Sequence, residues 1–284
     1  MKCIVSKLVA SLLFLYLCTN SFVFSQHTLY DFGFERNFEI PVYKNGKQLT
    51  YAWFGGINNI YLSSIDINQD GIDDILIFEQ HGNKLHPLIN KGIEGEFSYE
   101  YQPEYADLFP NDISEWLIFA DFNNDGKPDL FTYTTGGIRV FKNVSVNGKL
   151  KFKLHSDLLK SKQYDNYVNI FLTNVDIPII DDIDGDGDID ILSFGVLGMF
   201  VEWHKNMGVE LHNNQDTMDF HRVTRCWGDF MESESSNEVT LDAYCPFDKI
   251  GQVFKSNKSV MHVGSTMLFI DTNGDGLKDL LLGD

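Results

Sequence analysis

One nine-residue pattern, Asp-x-Asx-x-Asp-Gly-x-x-Asp, occurs four times, at residues 66–74, 121–129, 182–190 and 271–279. A pattern that recurs at long, similar intervals specifies an array of like units rather than one irregular core. The flanks recur with it. Leu117, Ile118, Phe119 and Ala120 precede the second copy, and Met267, Leu268, Phe269 and Ile270 precede the fourth. Two large apolar residues follow each copy: Ile75-Leu76, Leu130-Phe131, Ile191-Leu192 and Leu280-Leu281. An aromatic then stands four residues beyond the last Asp, at Phe78, Tyr133 and Phe194. An Asn closes the unit: Asn90, Asn143 and Asn206 lie 24, 22 and 24 residues after the first Asp of their copies. Apolar runs this short, bounded by Asp- and Gly-rich turns, read as strands.

Successive copies start 55, 61 and 89 residues apart. The shorter intervals suit one four-stranded blade each, so the expected fold is all-β, a β-propeller of four-stranded blades. The expected units are 60–112, 113–172, 173–263 and 264–284. The long third interval is assigned to an insertion around Cys226 and Cys245, and residues 153–167 read as a short helix. The closing Asn of the fourth unit would fall beyond residue 284. This is the pattern expected of the N-terminal part of a longer propeller; the alternative is a small propeller whose last blade is completed by residues 26–60.

The loops carry the chemistry. Calcium is a hard cation that takes six to eight oxygen ligands, and donors at alternate positions let one tight turn wrap it. The first loop offers Asp66, Asn68, Asp70, the carbonyl of Ile72, and Asp74. The second offers Asp121, Asn123, Asp125, the Lys127 carbonyl and Asp129, and the third Asp182, Asp184, Asp186, the Asp188 carbonyl and Asp190. The fourth offers Asp271, Asn273, Asp275, the Leu277 carbonyl and Asp279. Position 6 is always Gly, as the sharp turn requires. Without a cation, the carboxylates in one such turn repel each other. Up to four Ca2+ are therefore expected. The third loop, with acids at all four side-chain positions, is expected to bind tightest. Transition metals would want His or Cys, which the ligand positions lack.

An EF-hand shares the first half of this layout but needs a Glu at position 12 and flanking helices. Position 12 here is Ile77, Thr132, Ser193 or Leu282, and the flanks are β-like. The β-flanked loop instead resembles the FG-GAP/VCBS repeats of secreted bacterial proteins and the cation loops of integrin α-subunit propellers. The resemblance covers residues 60–284 and implies a calcium-binding propeller whose ligands are those at positions 1, 3, 5, 7 and 9. It also implies an extracellular or cell-surface setting.

The remaining sequence agrees with export. Lys2 and Lys7 precede the apolar stretch of residues 8–17, and small residues before Gln26 predict cleavage of a signal peptide after Ser25. Cys226 and Cys245 would then be the two remaining thiols, a plausible pair in an oxidising compartment. Beyond the N-terminus no apolar run is long enough to span a membrane. The net charge of −19 argues against nucleic-acid binding. No nucleophile, phosphate-loop or zinc-hydrolase signature is present, and no catalytic residue is assigned. His81 and His86 read as surface residues, while Trp53, Trp116 and Trp227 read as core or blade-interface residues. Three functions remain: a binding or adhesion module for an extracellular protein or polysaccharide, a carbohydrate-active propeller (lectin or polysaccharide lyase), and a structural domain of a larger secreted protein.

Overall fold

The computed structural model describes residues 37, 40–49, 51–196, 198–233, 236, 238–247 and 265–283. The signal peptide expected at residues 1–25 lies outside them. The chain divides into two compact units, residues 1–53 and 54–284. In the first, β1 (Tyr43–Lys44) and β2 (Lys47–Gln48) form a hairpin. Its turn is Asn45-Gly46, both at positive φ, the dipeptide that two-residue hairpins favour. Trp53 is half exposed, with its Nε1 donating to the Ile40 carbonyl at 2.7 Å, so it is not the core residue expected from sequence.

In the second unit the repeat becomes a succession of sheets. The first is antiparallel in chain order: β3 (Ile60–Ile65), β4 (Asp74–Glu79), β5 (Lys84–Asn90) and β6 (Tyr99–Tyr101). After a 3-10 turn (Pro103–Leu108) the second repeats it with β7 (Leu117–Ala120), β8 (Asp129–Thr134), β9 (Gly137–Asn143) and β10 (Phe152–Ser156). A hairpin follows, β11 (Lys160–Gln163) and β12 (Asn166–Asn169). The third sheet has β13 (Ile179–Asp181), β14 (Asp190–Phe194), β15 (Val201–Asn206) and β16 (Phe220–Thr224), with helix α1 (Gly208–His212) between the last two. A two-stranded ribbon, β17 (Phe230–Glu232) and β18 (Val239–Leu241), comes next, and β19 (Thr266–Ile270) pairs with β20 (Asp279–Gly283).

One expectation is corrected here. Residues 153–167 hold no helix. They contribute to β10, whose Phe152 stacks on Phe109 with centroids 5.7 Å apart, and to the β11–β12 hairpin, which turns at Tyr164 with φ of 57°. That hairpin lies before residue 172. β11 pairs in parallel with β16 and so extends the third sheet, not the second.

Alternation along each strand sends side chains to both faces, and the sheets bury those faces against one another. Ile65, Leu76 and Phe78 of the first sheet meet Leu117, Leu130 and Phe141 of the second. Phe131, Ile138 and Val140 on the other face of the second meet Ile180, Ile191 and Phe220 of the third, around fully buried Trp116. Leu192, Phe194 and Val201 of the third meet Met267 and Leu280 of the β19–β20 pair. The first strands of the four sheets, β3, β7, β13 and β19, line one cleft of about 600 Å³. β13 and β19 touch where the segment before β13 bridges to Thr266 in the parallel sense. This is a blade-like, all-β arrangement that fits a propeller. Among the described residues the ring is not closed, and Leu62 of β3 and Leu268 of β19 are exposed.

Cys226 and Cys245 are bonded, with Cα atoms 5.8 Å apart. The bond lies with Met199 and Phe200 in a small core of its own beside the β17–β18 ribbon.

His204 on β15 is an apolar-site histidine. It is buried, its Nδ1 has no partner, and its Nε2 lies 3.7 Å from Glu202, which is itself held by Arg222 and Arg225. Burial, with help from the Arg222 charge and against the pull of Glu202, lowers its pKa to about 4. A depressed histidine pKa means that the neutral form stabilises the fold. That stability is intact above the unfolded value near 6.5 and is lost as pH falls through about 4. Acidification from pH 7 to 4 is expected to cost on the order of 3 kcal/mol at this site. Urea melts of wild type and His204→Phe across that range check it: the variant should lose less stability than wild type. Parallel curves would contradict it.

Candidate metal centre

Each acidic loop is the connection between the first and second strands of its sheet: β3 to β4, β7 to β8, β13 to β14, and β19 to β20. All four share one hydrogen-bond design. The first Asp accepts backbone N–H groups from the turn it starts. Asp66 takes Asp70 and Gly71 at 3.0 and 2.8 Å, and Asp121 takes Asp125 and Gly126 at 3.2 and 2.7 Å. Asp182 takes Gly185 and Gly187 at 2.7 and 3.1 Å, and Asp271 takes Gly274, Asp275 and Gly276. In the exposed fourth loop, the Gly276 N–H and its neighbours hold the Asp271 carboxyl below the usual carboxylate range. The fifth-position Asp accepts the N–H of position 7 in every loop, from Asp70 to Asp275. The turn needs positive φ at position 6, and the glycines there lie between 80° and 94°.

The third position faces the fifth. Asn68, Asn123 and Asn273 each donate Nδ2 to the fifth-position carboxylate at 2.8, 3.2 and 3.0 Å. In the third loop Asp184 stands there instead, and the ligand oxygens of Asp182, Asp184 and Asp186 lie within 4.8 Å of one another. Lys205 of β15 answers this charge. Its Nζ pairs with Asp184, with Asp186 at 3.1 Å, and with Glu210 of α1. An ammonium held there competes with any other cation, which counting charge along the loop alone did not reveal.

The ninth position was expected as a ligand, and the structure gives it a second task. Asp74, Asp129 and Asp190 open the second strand of each sheet and are fully buried. Asp74 accepts Ile67 N–H at 2.9 Å and Asn90 N–H at 2.7 Å. Asp129 accepts Phe122 N–H at 3.1 Å and Asn143 N–H at 2.6 Å. Asp190 accepts Asn206 N–H at 2.8 Å and Trp203 Nε1 at 3.1 Å. These carboxylates clasp the loop to the closing Asn of the third strand. Asn90 and Asn143 return the tie through Nδ2, to the carbonyls of Asp73 and Pro128. Burial raises the pKa of Asp74, and pushes those of Asp129 and Asp190 up to about 7. Asp279 is less buried and clasps only Thr272.

The donor set fits a hard divalent cation. Every side chain at positions 1, 3 and 5 offers oxygen, and the Oδ1 of Asn123 is buried without a partner. For such an ion, positions 1, 3 and 5 would supply the side-chain oxygens, position 7 a carbonyl, and position 9 whatever lone pairs its clasp leaves. Neighbouring loops also meet: Asn124 of the second donates to the Gly187 carbonyl of the third, and Asn123 donates to Asp216 beyond α1 at 3.0 Å. Lys205, Glu210 and Asp216 were not singled out from sequence. The one available signal was the closing Asn206, beside which Lys205 and Glu210 stand. His86 is half-buried against Tyr101 at 3.2 Å rather than on the surface, whereas His81 is exposed.

The fold and its loops define an all-β, blade-built protein with one Asp- and Gly-rich turn in each of four sheets. Residues 66–132, which hold the first two turns, match the family model of the FG-GAP-like repeat. No curated protein matches the chain. A solved structure of an Agrocybe aegerita lectin, described as recognising non-reducing terminal N-acetylglucosamine, is similar at 17% identity and a TM-score of 0.37. The similarity covers 78% of this chain and 46% of the lectin chain, less than half of the lectin's length. No helix among the described residues is long and apolar enough to cross a membrane.

Proposed function

We propose that the protein is an extracellular binding module whose four loops each take one calcium ion, with an extracellular protein or polysaccharide as partner. The observation that carries this reading is the common cage. In four separate loops the position-6 N–H holds the first-position carboxylate and the position-7 N–H holds the fifth, with an oxygen-bearing side chain between them. Calcium bound there would neutralise the clustered carboxylates and stiffen the turns at one end of the sheets. To coordinate, Asn68, Asn123 and Asn273 present the amide oxygen rather than the Nδ2 that now faces the fifth-position Asp. A rigid rim of this kind suits recognition of a broad surface. FG-GAP-like repeats support the extracellular setting, as do the disulfide and the leader-like N-terminus.

The test is calcium stoichiometry of the full chain, by native mass spectrometry and calorimetric titration. At least four ions per chain are expected. Absence of binding at millimolar calcium would remove the reading.

A further inference from the structure

We propose that Asp186, Asp188 and Glu210 form a second divalent-cation site beside the third loop, sharing Asp186 with it. The ligand oxygens of these three residues lie within 4.8 Å of one another. Asp188 stands at the seventh position, where the loop pattern uses only a carbonyl. The corresponding residues elsewhere are Ile72, Lys127 and Leu277, so no other loop has this side chain.

The Asp188 carboxylate is turned inward, not out to water. The residue is 1% exposed, and its Oδ2 accepts the Val209 N–H of α1 at 3.1 Å. The α1 backbone lies close against it: a Cβ added to Gly208 would sit 3.3 Å from Oδ2. Its Oδ1 is buried and has no hydrogen-bond partner among the described residues. Glu210 projects from the same short helix, and Asp186 comes from the loop.

Lys205 does not account for this arrangement. Its ammonium pairs with Asp184, Asp186 and Glu210 but forms no ion pair with Asp188. Of the two carboxylates that the ammonium leaves out, Asp182 and Asp188, the second is the more deeply buried. A buried carboxylate with an unpaired oxygen is compensated by a bound cation or by a proton. Five carboxylates (Asp182, Asp184, Asp186, Asp188 and Glu210) face one ammonium in this corner, so a single divalent ion in the loop leaves it negative. The donors are all oxygen, which selects calcium, magnesium or manganese over zinc or copper.

The site depends on the loop reading only through the shared Asp186, and one set of measurements separates the two. Native mass spectrometry of the full chain, titrated with calcium alone, is expected to show five ions. Glu210→Gln, at an exposed position that leaves the core intact, should lose one ion and retain four. Asp182→Ala should lose the loop ion. Lys205→Met, which frees Asp186 and Glu210 from the ammonium, should tighten the fifth ion. Four ions in both wild type and Glu210→Gln would overturn the second site while leaving the four loops standing. Five in both would place the fifth ion elsewhere and overturn it as well. No bound ion in wild type would overturn both readings.

Discussion

Asp129→Ala is expected to lower stability by about 2–6 kcal/mol even with a chelator present, whereas Asp121→Ala has a small effect until calcium is added. The two residues belong to one loop, but their surroundings differ. Asp129 is fully buried, and its oxygens take the N–H groups of Phe122 and Asn143. Removing the carboxylate leaves two backbone donors without a partner, at about 1–3 kcal/mol each. Relief of the carboxylate's own burial cost works against this, since burial pushes its pKa up to about 7. The donors cannot be removed along with it, so the loss dominates. Asp121 accepts N–H groups that face water, and water replaces it at little cost. Urea melts of the two variants in chelator decide the matter. Equal, small losses would show that Asp129 is no clasp.

Stripping calcium from wild type is expected to cost roughly 2–6 kcal/mol in total. Sites with affinities near ~10⁻⁴–10⁻³ M, held at millimolar calcium, each contribute roughly 0.4–1.4 kcal/mol, and there are four loops to empty. For a domain of this size the melting temperature should fall on the order of 10 °C. The effect should be reversed by calcium and not by equal ionic strength of sodium chloride, because ions bound as proposed would act at fixed oxygen cages and not by general screening. A melt unchanged by chelator would show that the loops hold their shape on the backbone N–H groups alone.

Much of this was legible in the sequence, and the misses have physical causes. Four in-phase copies of one loop imply like units, and the apolar residues around each loop imply strands. The β3–β6 and β7–β10 sheets follow from that pattern. The alternate oxygen-bearing positions of each loop could be read because their relation is local to nine residues. The role of Asp74, Asp129 and Asp190 could not, because a sequence gives residue type but not direction. Each is the first residue of a strand, where the pleat turns the carboxylate inward toward the closing Asn. Lys205 and Glu210 reach the third loop from β15 and α1, a relation set by tertiary packing. Residues 153–167 were misread because their composition tolerates a helix. Pairing of Lys160 to Gln163 with the strand after Tyr164, and with β16, overrides that weak preference.

The clasp also bears on where such a chain can change in length. The tie from the ninth-position Asp to the closing Asn encloses two paired strands and the turn between them, so residues added within those strands would shift the Asn N–H away from its acceptor. The spans from loop start to closing Asn are accordingly 24, 22 and 24 residues, while the intervals between loops stretch from 55 to 89. The disulfide-bonded ribbon, helix α1 and the β11–β12 hairpin all lie outside the clasped spans. Each repeat thus has a segment of nearly fixed length that carries the fold and a segment whose length differs from copy to copy. New surface can be added in the second without disturbing the acidic turn in the first.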